Sequence, residues 1–426
     1  MLEDQMWFEP EEALAVAWRQ GVDEGREIGA DEAEMREVAS LPRKDPEKRR
    51  RAFSLLDRWE SAGMRDGYPW LEPDDLESIR KQREGGKGGR KPVPFLREKV
   101  YAAWLMRAAG CLLGKPVEGW YRDRIEGLLR EAGNLPVRRY VEAPADGMPE
   151  DDDTNYTILA LKLMEEKGWE FTPDDVGELW LASLPVLHLC TAERVAYLNM
   201  CNGFCPPRSA RHHNAYREYV GAQIRGDFFG YVCPGDPEKA AELAWRDASI
   251  SHVKNGIYGE MFVAAMLAEA AGTSRMEDIV RAGMGQIPQK SRLWAAAAQA
   301  LDWWKNGTSA AAAVENVRKR FDETCGYDWC HVIPNAMIVC IGLLYGEGDF
   351  TKTVDLCLRA AFDTDCNCAT AGSVVGMAMG IREADRGWIE PLKDKIHSGV
   401  DGMGTVRISD LADRAQRVFE SRVQKA

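Results

Sequence analysis

Apolar residues recur at helical spacing along most of this chain, and that pattern constrains the fold more than any other feature. Leucine, isoleucine, valine, methionine and alanine repeat at intervals of three and four residues, the period of one face of an α-helix. Alternating strand patterns and solenoid-length repeats are hard to find. We therefore predict an all-α fold, a compact orthogonal array of helices. The clearest helical segments are residues 99–110, 155–167, 237–247, 259–271, 291–305, 310–320, 337–345 and 351–361.

A further helix, residues 369–380, is unusual because Gly372, Gly376 and Gly380 lie four residues apart on one face. Glycine weakens a helix by about 1 kcal/mol relative to alanine, so a helix that contains three needs a compensating contact. A face without side chains lets another backbone approach closely. We predict that this helix is central and packs tightly against a neighbour.

The N-terminal part is charged and broadly helical from Trp7 to about Arg83, which is typical of an accessory layer. The stretch that follows is the clearest break in the chain, since four of the five positions from Gly85 to Gly89 are glycine. We predict a helical N-terminal extension over residues 1–90, packed on or linked to the core. The main domain is predicted to span residues 91–426.

Composition excludes several classes of protein. The hydrophobic fraction of 45% is that of a globular protein, and a net charge of −13 would repel nucleic acids. The first five residues lack the features of a signal peptide, and no apolar run is long enough to span a membrane. We expect a cytoplasmic protein with no nucleic-acid or membrane partner. The eleven cysteines form no CxxC pairs, which favours buried thiols, and the oligomeric state stays open.

Two clusters of aspartates stand directly before apolar helical segments. Asp151, Asp152 and Asp153 precede residues 155–167, and Asp363 and Asp365 precede residues 369–380. Helix capping by one residue of each cluster, with the others solvated, is the alternative interpretation. Consecutive carboxylates repel one another once they are partly buried, and a cation that prefers oxygen ligands relieves that repulsion. The two clusters therefore predict a shared site for divalent cations, with enough carboxylates for more than one ion.

Three weaker patterns accompany the aspartates. Glu118 follows an apolar segment that ends in glycine and proline, where it lies either at the mouth of a pocket or in solvent. Residues 221–227 combine glycine with Arg225, which fits a phosphate-lining loop or an ordinary glycine-rich loop. His252 stands alone before a helix, where a histidine is more often structural than catalytic.

Together and in this order, these segments resemble the ADP-ribosylglycohydrolase family, which includes dinitrogenase-reductase-activating glycohydrolases and ADP-ribosylarginine hydrolases. The resemblance extends from about Arg97 to the C-terminal region and implies a catalytic domain over residues 91–426. In this family a Thr/Ser-Asp-Asp-Thr motif and a late Asp-x-Asp-Thr/Ser motif bind two ions. The resemblance implies two divalent cations here, Mg²⁺ first and Mn²⁺ as the alternative. The implied metal ligands are Asp151, Asp152, Asp153, Asp363, Asp365 and Cys366.

The resemblance also implies residues that contact the substrate. Glu118 matches an early loop glutamate of the family that lies beside the scissile bond. Residues 221–225 resemble the segment that lines the diphosphate, and Ser251-His252 resembles a turn near the ADP-ribose. The implied substrate-binding residues are Gly221, Gln223, Arg225, Ser251, His252, Asn255 and Tyr258.

Two positions depart from the family pattern. Asp151 stands where a hydroxyl residue is common, and Cys366 stands where threonine or serine usually ligates. A thiol is a poor ligand for Mg²⁺. Either Asp151 compensates with extra negative charge or Cys366 does not coordinate, and both readings bear on metal preference.

The implied reaction is metal-dependent hydrolysis of the N- or O-glycosidic bond at the anomeric carbon of ADP-ribose, on a protein or a small molecule. Asp152 or Asp363 would orient or deprotonate the water, and Glu118 would steady the ribose or protonate the leaving group. Two alternatives stay open: a hydrolase of another small N- or O-riboside, and a non-catalytic ADP-ribose-binding or structural relative. The aspartates argue against the second, since a scaffold does not need a destabilising cluster of carboxylates.

Overall fold

The structure of the protein is a computed structural model, which describes residues 6–83, 93–382 and 385–423. Within these residues the chain forms twenty α-helices, several short 3₁₀ turns and one two-stranded antiparallel sheet. The prediction of an all-α fold is confirmed. The glycine-rich break predicted at residues 85–89 lies outside the described residues.

The N-terminal segment contributes four helices, and the rest of the chain contributes the others together with the sheet. The first four are α1 (Leu14–Asp23), α2 (Glu32–Ala39), α3 (Pro46–Ser61) and α4 (Leu76–Gln82). The next six are α5 (Arg97–Gly114), α6 (Arg122–Glu131), α7 (Asp152–Lys167), α8 (Pro173–Ser183), α9 (Thr191–Cys201) and α10 (Asp227–Tyr231). They are followed by α11 (Pro237–Ala248), α12 (Lys254–Ala270), α13 (Met276–Met284), α14 (Arg292–Lys305), α15 (Ala310–Arg320), α16 (Val332–Gly346), α17 (Phe350–Arg359) and α18 (Thr364–Met379). The chain ends with α19 (Arg386–Ile389), β1 (Lys395–His397), β2 (Thr405–Arg407) and α20 (Ile408–Val423).

Helices α5 and α18 form the centre of the fold and pack backbone against backbone. Cβ atoms added at Gly372 and Gly376 of α18 would each lie 2.5 Å from a carbonyl oxygen of α5, that of Met106 and that of Ala102 respectively. These two glycines therefore have the close neighbour that the sequence predicted. Gly380 has another role, because it follows the last residue of α18 with a φ of 69° and ends the helix.

The other core helices surround this pair. Helices α12 and α16 are buried on nearly every face, which explains why their sequences are apolar all round. Helices α10, α11 and α13 pack around α12, and α14, α15 and α17 pack around α16. The short sheet, in which Ile396 of β1 faces Val406 of β2, closes one side beside the loop that precedes α7.

Each helical segment predicted from the sequence corresponds to an observed helix. The starts of α12, α16 and α18 lie five residues earlier than predicted, and α7 starts three residues earlier. These first turns contain polar residues or proline, which interrupt the apolar period. The backbone N–H groups of a first turn have no partner within the helix, so polar side chains are favoured there. The acidic motifs are therefore part of the helices they precede.

Helices α1 to α3 enclose an apolar cluster of their own, and this cluster meets the rest of the chain at Ala215 and Tyr216. The helical character predicted for the N-terminal segment is thus observed, whereas the domain boundary at residue 90 stays a prediction. None of the helices in the described ranges combines the length and the apolar character that membrane crossing demands.

Candidate metal centre and active site

Two helix starts bring the aspartates of both motifs together. Asp151 is the N-cap of α7, and its side chain accepts a hydrogen bond from the Asp153 backbone N–H at 3.0 Å. Asp363 is the N-cap residue of α18, but its side chain makes no capping hydrogen bond. Asp365 is 1% exposed and is therefore not solvated. Helix capping accounts for Asp151 and leaves the two buried carboxylates of α18 to be explained.

The chain enters α18 through a strained backbone. Ala361 and Phe362 have φ values of 62° and 58°, in the left-handed region that costs a non-glycine residue about 1–2 kcal/mol. Strain of this kind persists where the surroundings fix it, and it clusters at functional sites. The Thr364 hydroxyl donates to the Gly114 carbonyl at 3.0 Å, which ties this turn to the end of α5. The aspartates of α18 are thus held against the C-terminal end of α5.

Possible metal ligands from both motifs lie close together. Among the buried carboxylate oxygens without a hydrogen-bond partner in the described residues, three belong to the two aspartate motifs: Asp153 Oδ2, Asp363 Oδ1 and Asp365 Oδ1. Buried polar atoms without partners are rare and costly, and oxygen ligands of this kind suit Mg²⁺, Mn²⁺ or Ca²⁺. These residues fit a divalent cation. At this centre, two groups have ligand atoms that all lie within 4.8 Å of one another, Cys111 with Asp151, Asp153 and Asp365, and Asp363 with Asp365 and Cys366.

Arg107 of α5 orients one of these aspartates. Its guanidinium is fully buried, and it donates to Asp153 Oδ1 at 3.0 Å and to the Asp153 carbonyl at 2.8 Å. A second carboxylate, that of Asp227, lies 3.1 Å from the guanidinium. Although burial acts in the opposite direction, Asp227 and Asp153 raise the pKa of Arg107, which stays charged. One oxygen of Asp153 is therefore fixed, and the other is left for a cation.

Lys115 lies between the motifs. Its ammonium nitrogen is 2.8 Å from Glu118 Oε2, 2.9 Å from Asp151 Oδ2 and 3.2 Å from Asp365 Oδ2. Burial opposes the charge, but Asp365 and Asp151 raise the pKa of Lys115. The lysine is therefore a cation that bridges the start of α7, the start of α18 and the turn after α5.

The pKa values of the aspartates reflect their crowding. Burial raises the pKa of Asp152, Asp153 and Asp363 well above the usual range, and neighbouring carboxylates add to the effect for Asp152 and Asp363. A bound divalent cation would reverse this effect by favouring the ionised forms. Burial and Asp365 raise the pKa of Glu118 to about 7, although Lys115 acts in the opposite direction. Glu118 therefore has the pKa of a group that can both hold and release a proton near neutrality.

Two thiols lie among the carboxylates. Burial, followed by Asp153, raises the pKa of Cys366 well above its usual value, and burial with Asp151 does the same for Cys111. Burial therefore favours the neutral form of both thiols, and a neutral thiol is a weak ligand. The carboxylates are the better ligands for a divalent cation at this centre.

Four of the predicted substrate-binding residues lie around a fifth, the buried Arg225. Arg225 is paired with Glu193 Oε1 at 2.7 Å, with Asp247, and with Glu260 at 3.4 Å, and it donates to the Ser251 hydroxyl at 2.8 Å. The remaining three are packed close by: Gly221 against Glu193, His252 with its Nδ1 2.9 Å from the Ser251 hydroxyl, and Gln223 against α12. Because three carboxylates already surround the guanidinium, the structure gives Arg225 the contacts of a positioning residue.

The other two predicted substrate-binding residues face the N-terminal segment. The Asn255 amide donates to Glu218 at 2.8 Å and to Glu72 at 2.9 Å, and the Tyr258 hydroxyl donates to the Pro73 carbonyl. Both side chains are buried. The structure therefore brings Glu118 and the aspartates into one site, and it places Asn255 and Tyr258 at an internal interface. Contact of these residues with a substrate stays a prediction.

A cavity of about 470 Å³ adjoins Lys115 and Asp151. Small-molecule sites are typically 300–1,000 Å³, so this cavity has the size of a ligand site. Other lining residues are Leu112, Pro116, Met148, Glu150 and His397.

Sequence reasoning missed Arg107, Cys111 and Lys115. Arg107 interrupts an otherwise apolar stretch of α5, and a charged residue inside a buried helix is a signal that could have been used. Lys115 stands three residues before Glu118, a spacing that could have indicated an ion pair in the turn. Its contact with Asp365 spans 250 residues and has no local signal.

The fold and the site define an all-α protein with a buried centre of aspartates at the ends of three helices, beside a cavity of ligand size. A family profile described as ADP-ribosylglycohydrolase matches residues 92–425. The chain belongs to the ADP-ribosylglycohydrolase family, and the predicted resemblance is confirmed. Membership supports a glycohydrolase in general.

Comparison with solved structures finds a chain described as "ADP-ribosylglycohydrolase-related protein complex". It is 16% identical, the alignment covers 76% of this chain and 98% of that chain, and the TM-score is 0.47. No curated protein matches this sequence.

Proposed function

We propose that this protein is a metal-dependent hydrolase that cleaves the N- or O-glycosidic bond at the anomeric carbon of ADP-ribose. One observation carries the proposal: buried oxygens of Asp153, Asp363 and Asp365, which have no hydrogen-bond partner in the described residues, belong to two clusters of possible ligands that share Asp365. A protein that used these residues only for packing would leave their desolvation uncompensated. Family membership adds the substrate class, an ADP-ribosyl group on a protein or a small molecule.

The proposed cofactors are two divalent cations, Mg²⁺ first and Mn²⁺ as the alternative. Carboxylates of the two aspartate motifs outnumber what one ion needs, and hard oxygen ligands favour these metals. A bound divalent cation supplies Lewis acidity and lowers the pKa of a nearby water. The proposed ligands are Asp151, Asp152, Asp153, Asp363 and Asp365, whereas Cys366 as a neutral thiol contributes less.

The remaining catalytic roles are assigned to residues of this chain. Glu118 is one-third exposed and is paired with Lys115, which lines the cavity, so its carboxyl can reach a leaving group and give it a proton. Asp152 lies at the first position of α7, where it would orient the attacking water or accept its proton. Arg107 holds Asp153 in place through its hydrogen bonds to the carbonyl and the carboxylate of that residue. The adjoining cavity would hold the ribose side of the substrate.

An activity screen tests this proposal. The purified chain would be incubated with arginine-linked, serine-linked and small-molecule ADP-ribosyl compounds, with Mg²⁺, with Mn²⁺ or with EDTA, and released ADP-ribose would be measured. We expect release from at least one linkage that depends on metal. Cleavage of a small riboside without cleavage of any ADP-ribosyl compound would favour the alternative, a hydrolase of another small riboside. Metal-independent release, or no release of any kind by a protein that binds metal, would contradict the proposal.

A further inference from the structure

The centre contains two kinds of cation position. At the first, Asp363 and Asp365 lie together, and a buried oxygen of each has no hydrogen-bond partner within the described residues. At the second, Asp151, Asp153 and Asp365 lie together. One oxygen of Asp151 and the other oxygen of Asp365 already contact the ammonium of Lys115. No ion pair among the described residues involves Asp363, whereas the chain itself supplies a positive charge at the second position.

Lys115 fits the second position closely. An ammonium has three N–H donors, and three carboxylates, those of Glu118, Asp151 and Asp365, lie 2.8, 2.9 and 3.2 Å from the nitrogen. Asp151 and Asp365 have side chains only 2% exposed, so they depend on a nearby cation for compensation. The site thus has its own counter-ion at one of its two positions.

A divalent cation and this ammonium cannot use the same oxygens at once. Metal–oxygen distances are about 2.0–2.6 Å for Mg²⁺ and Ca²⁺, so an ion on Asp151 Oδ2 and Asp365 Oδ2 would lie almost in contact with the nitrogen. Two positive charges at such a distance repel strongly in a buried site. Occupation of the second position by a metal requires that Lys115 move away.

Lys115 can move without disturbing the fold. It lies in a short 3₁₀ turn after α5, its side chain is 43% exposed, and a cavity adjoins it. The lysine side chain is a flexible four-carbon stem, and its charge can be hydrated once it leaves the carboxylates. Arg107, in contrast, is enclosed on all sides and is a fixed part of the site.

We propose that Lys115 competes with the second divalent cation, so that the two metal positions fill unequally. This inference rests on the metal centre of the proposed function and adds the order in which its positions fill. The first ion binds at Asp363 and Asp365. The second ion binds only as Lys115 is displaced toward the cavity, and its affinity is lower for that reason. The number of ions in the centre then depends on the concentration of free metal.

Titration of the full chain with Mn²⁺ tests this inference without reference to hydrolysis. Bound metal would be measured by calorimetry, and free Mn²⁺ by electron paramagnetic resonance. We expect one tight and one weak site in the wild type. Lys115→Met should strengthen the second site by about 5- to 150-fold, the usual range for coupled binding events, and leave the first nearly unchanged. Lys115→Arg keeps the charge and should keep the second site weak.

Lys305→Met is the matched control, because Lys305 forms a surface ion pair with Glu277 at 2.8 Å, and it should behave as the wild type. Two equal sites in the wild type would overturn the inference even if no variant folded. An unchanged weak site in a folded Lys115→Met protein would also overturn it. In both cases metal-dependent hydrolysis could persist, whereas failure of every variant to bind Mn²⁺ would overturn the metal centre as well.

Discussion

Asp363 and Glu118 each contribute one carboxylate to the same centre, yet their surroundings differ. Asp363 is 2% exposed and has an unpartnered oxygen, which is the environment of a ligand. Glu118 is partly exposed and paired with Lys115, which is the environment of a group that acts on substrate. Both side chains are carboxylic acids, so residue type alone does not distinguish these two roles. The burial and the hydrogen bonding of each side chain distinguish them.

This difference predicts distinct defects for Asp363→Asn and Glu118→Gln. Asp363→Asn should weaken metal binding and activity together, and excess metal should restore part of the turnover. Glu118→Gln should keep the metal-induced rise in melting temperature and lower turnover by roughly 10²- to 10⁴-fold, the usual contribution of general acid–base catalysis. Calorimetry and steady-state kinetics would measure both. A Glu118→Gln protein that loses its metal, or that keeps full activity on a confirmed substrate, would show that its role is assigned wrongly.

We predict that replacement of Cys366 by serine changes the metal preference of the centre. Serine at this position would replace a neutral thiol by a hydroxyl oxygen beside Asp363 and Asp365, and oxygen is the better ligand for Mg²⁺. We expect Cys366→Ser to raise Mg²⁺ affinity by roughly 10-fold, the lower end of what single changes around a metal produce. Cys368→Ser is the control, since its sulfur hydrogen-bonds to the Val354 carbonyl at 3.7 Å and a hydroxyl can replace it. Equal effects of the two changes would argue that Cys366 does not face the metal.

At the scale of elements, the packing of α5 against α18 holds the site together. An added methyl group at Gly376 would meet the carbonyl of Ala102, so Gly376→Ala should lower the free energy of unfolding by about 1–3 kcal/mol, as overpacked cores do. Gly127 of α6 faces open space among the described residues. Gly127→Ala should therefore raise the free energy of unfolding by up to about 1 kcal/mol, because alanine has the higher helix propensity. Chemical denaturation would measure both. Stabilisation by Gly376→Ala would mean that the two backbones are not in close contact.

The helices were predictable from sequence because their apolar period is local, and the same holds for the glycine face of α18. The aspartate motifs could also be recognised, since clustered carboxylates before a helix are a local anomaly. The tertiary partners of these aspartates could not be predicted from the sequence. Lys115 meets Asp365 across 250 residues, and Arg107 meets Asp153 only because α5 and α7 pack together. Contacts of this kind depend on the tertiary arrangement, which periodicity does not specify.

At the scale of the whole molecule, the N-terminal segment is joined to the core by buried charges. Glu72, which lies between α3 and α4, pairs with Arg292 at 2.9 Å and accepts a hydrogen bond from Asn255. Arg292 also pairs with Glu218 at 2.8 Å. This network explains why Asn255 contacts the N-terminal segment, a position that sequence spacing does not reveal.

The network predicts that the N-terminal segment stabilises the fold without contributing metal ligands. Glu72→Gln should lower the free energy of unfolding by about 1–3 kcal/mol, because it leaves buried donors with a weaker partner. The metal-induced shift in melting temperature should not change. Glu77→Gln is the control, since Glu77 is exposed and forms a long surface ion pair with Lys81, at 3.8 Å. Loss of the metal-induced shift in folded Glu72→Gln protein would indicate that the segment helps to form the metal centre.

We propose that two distant aspartate motifs form one binding centre for divalent cations and ADP-ribose. Anomalous diffraction from crystals grown with Mn²⁺ and ADP-ribose tests it most directly, because the signal locates the metal itself. We predict a strong Mn²⁺ peak coordinated by Asp363 and Asp365, with the ribose of ADP-ribose in the adjoining cavity beside Lys115. A centre without any Mn²⁺ peak at millimolar metal, or ADP-ribose bound elsewhere on the molecule, would contradict it.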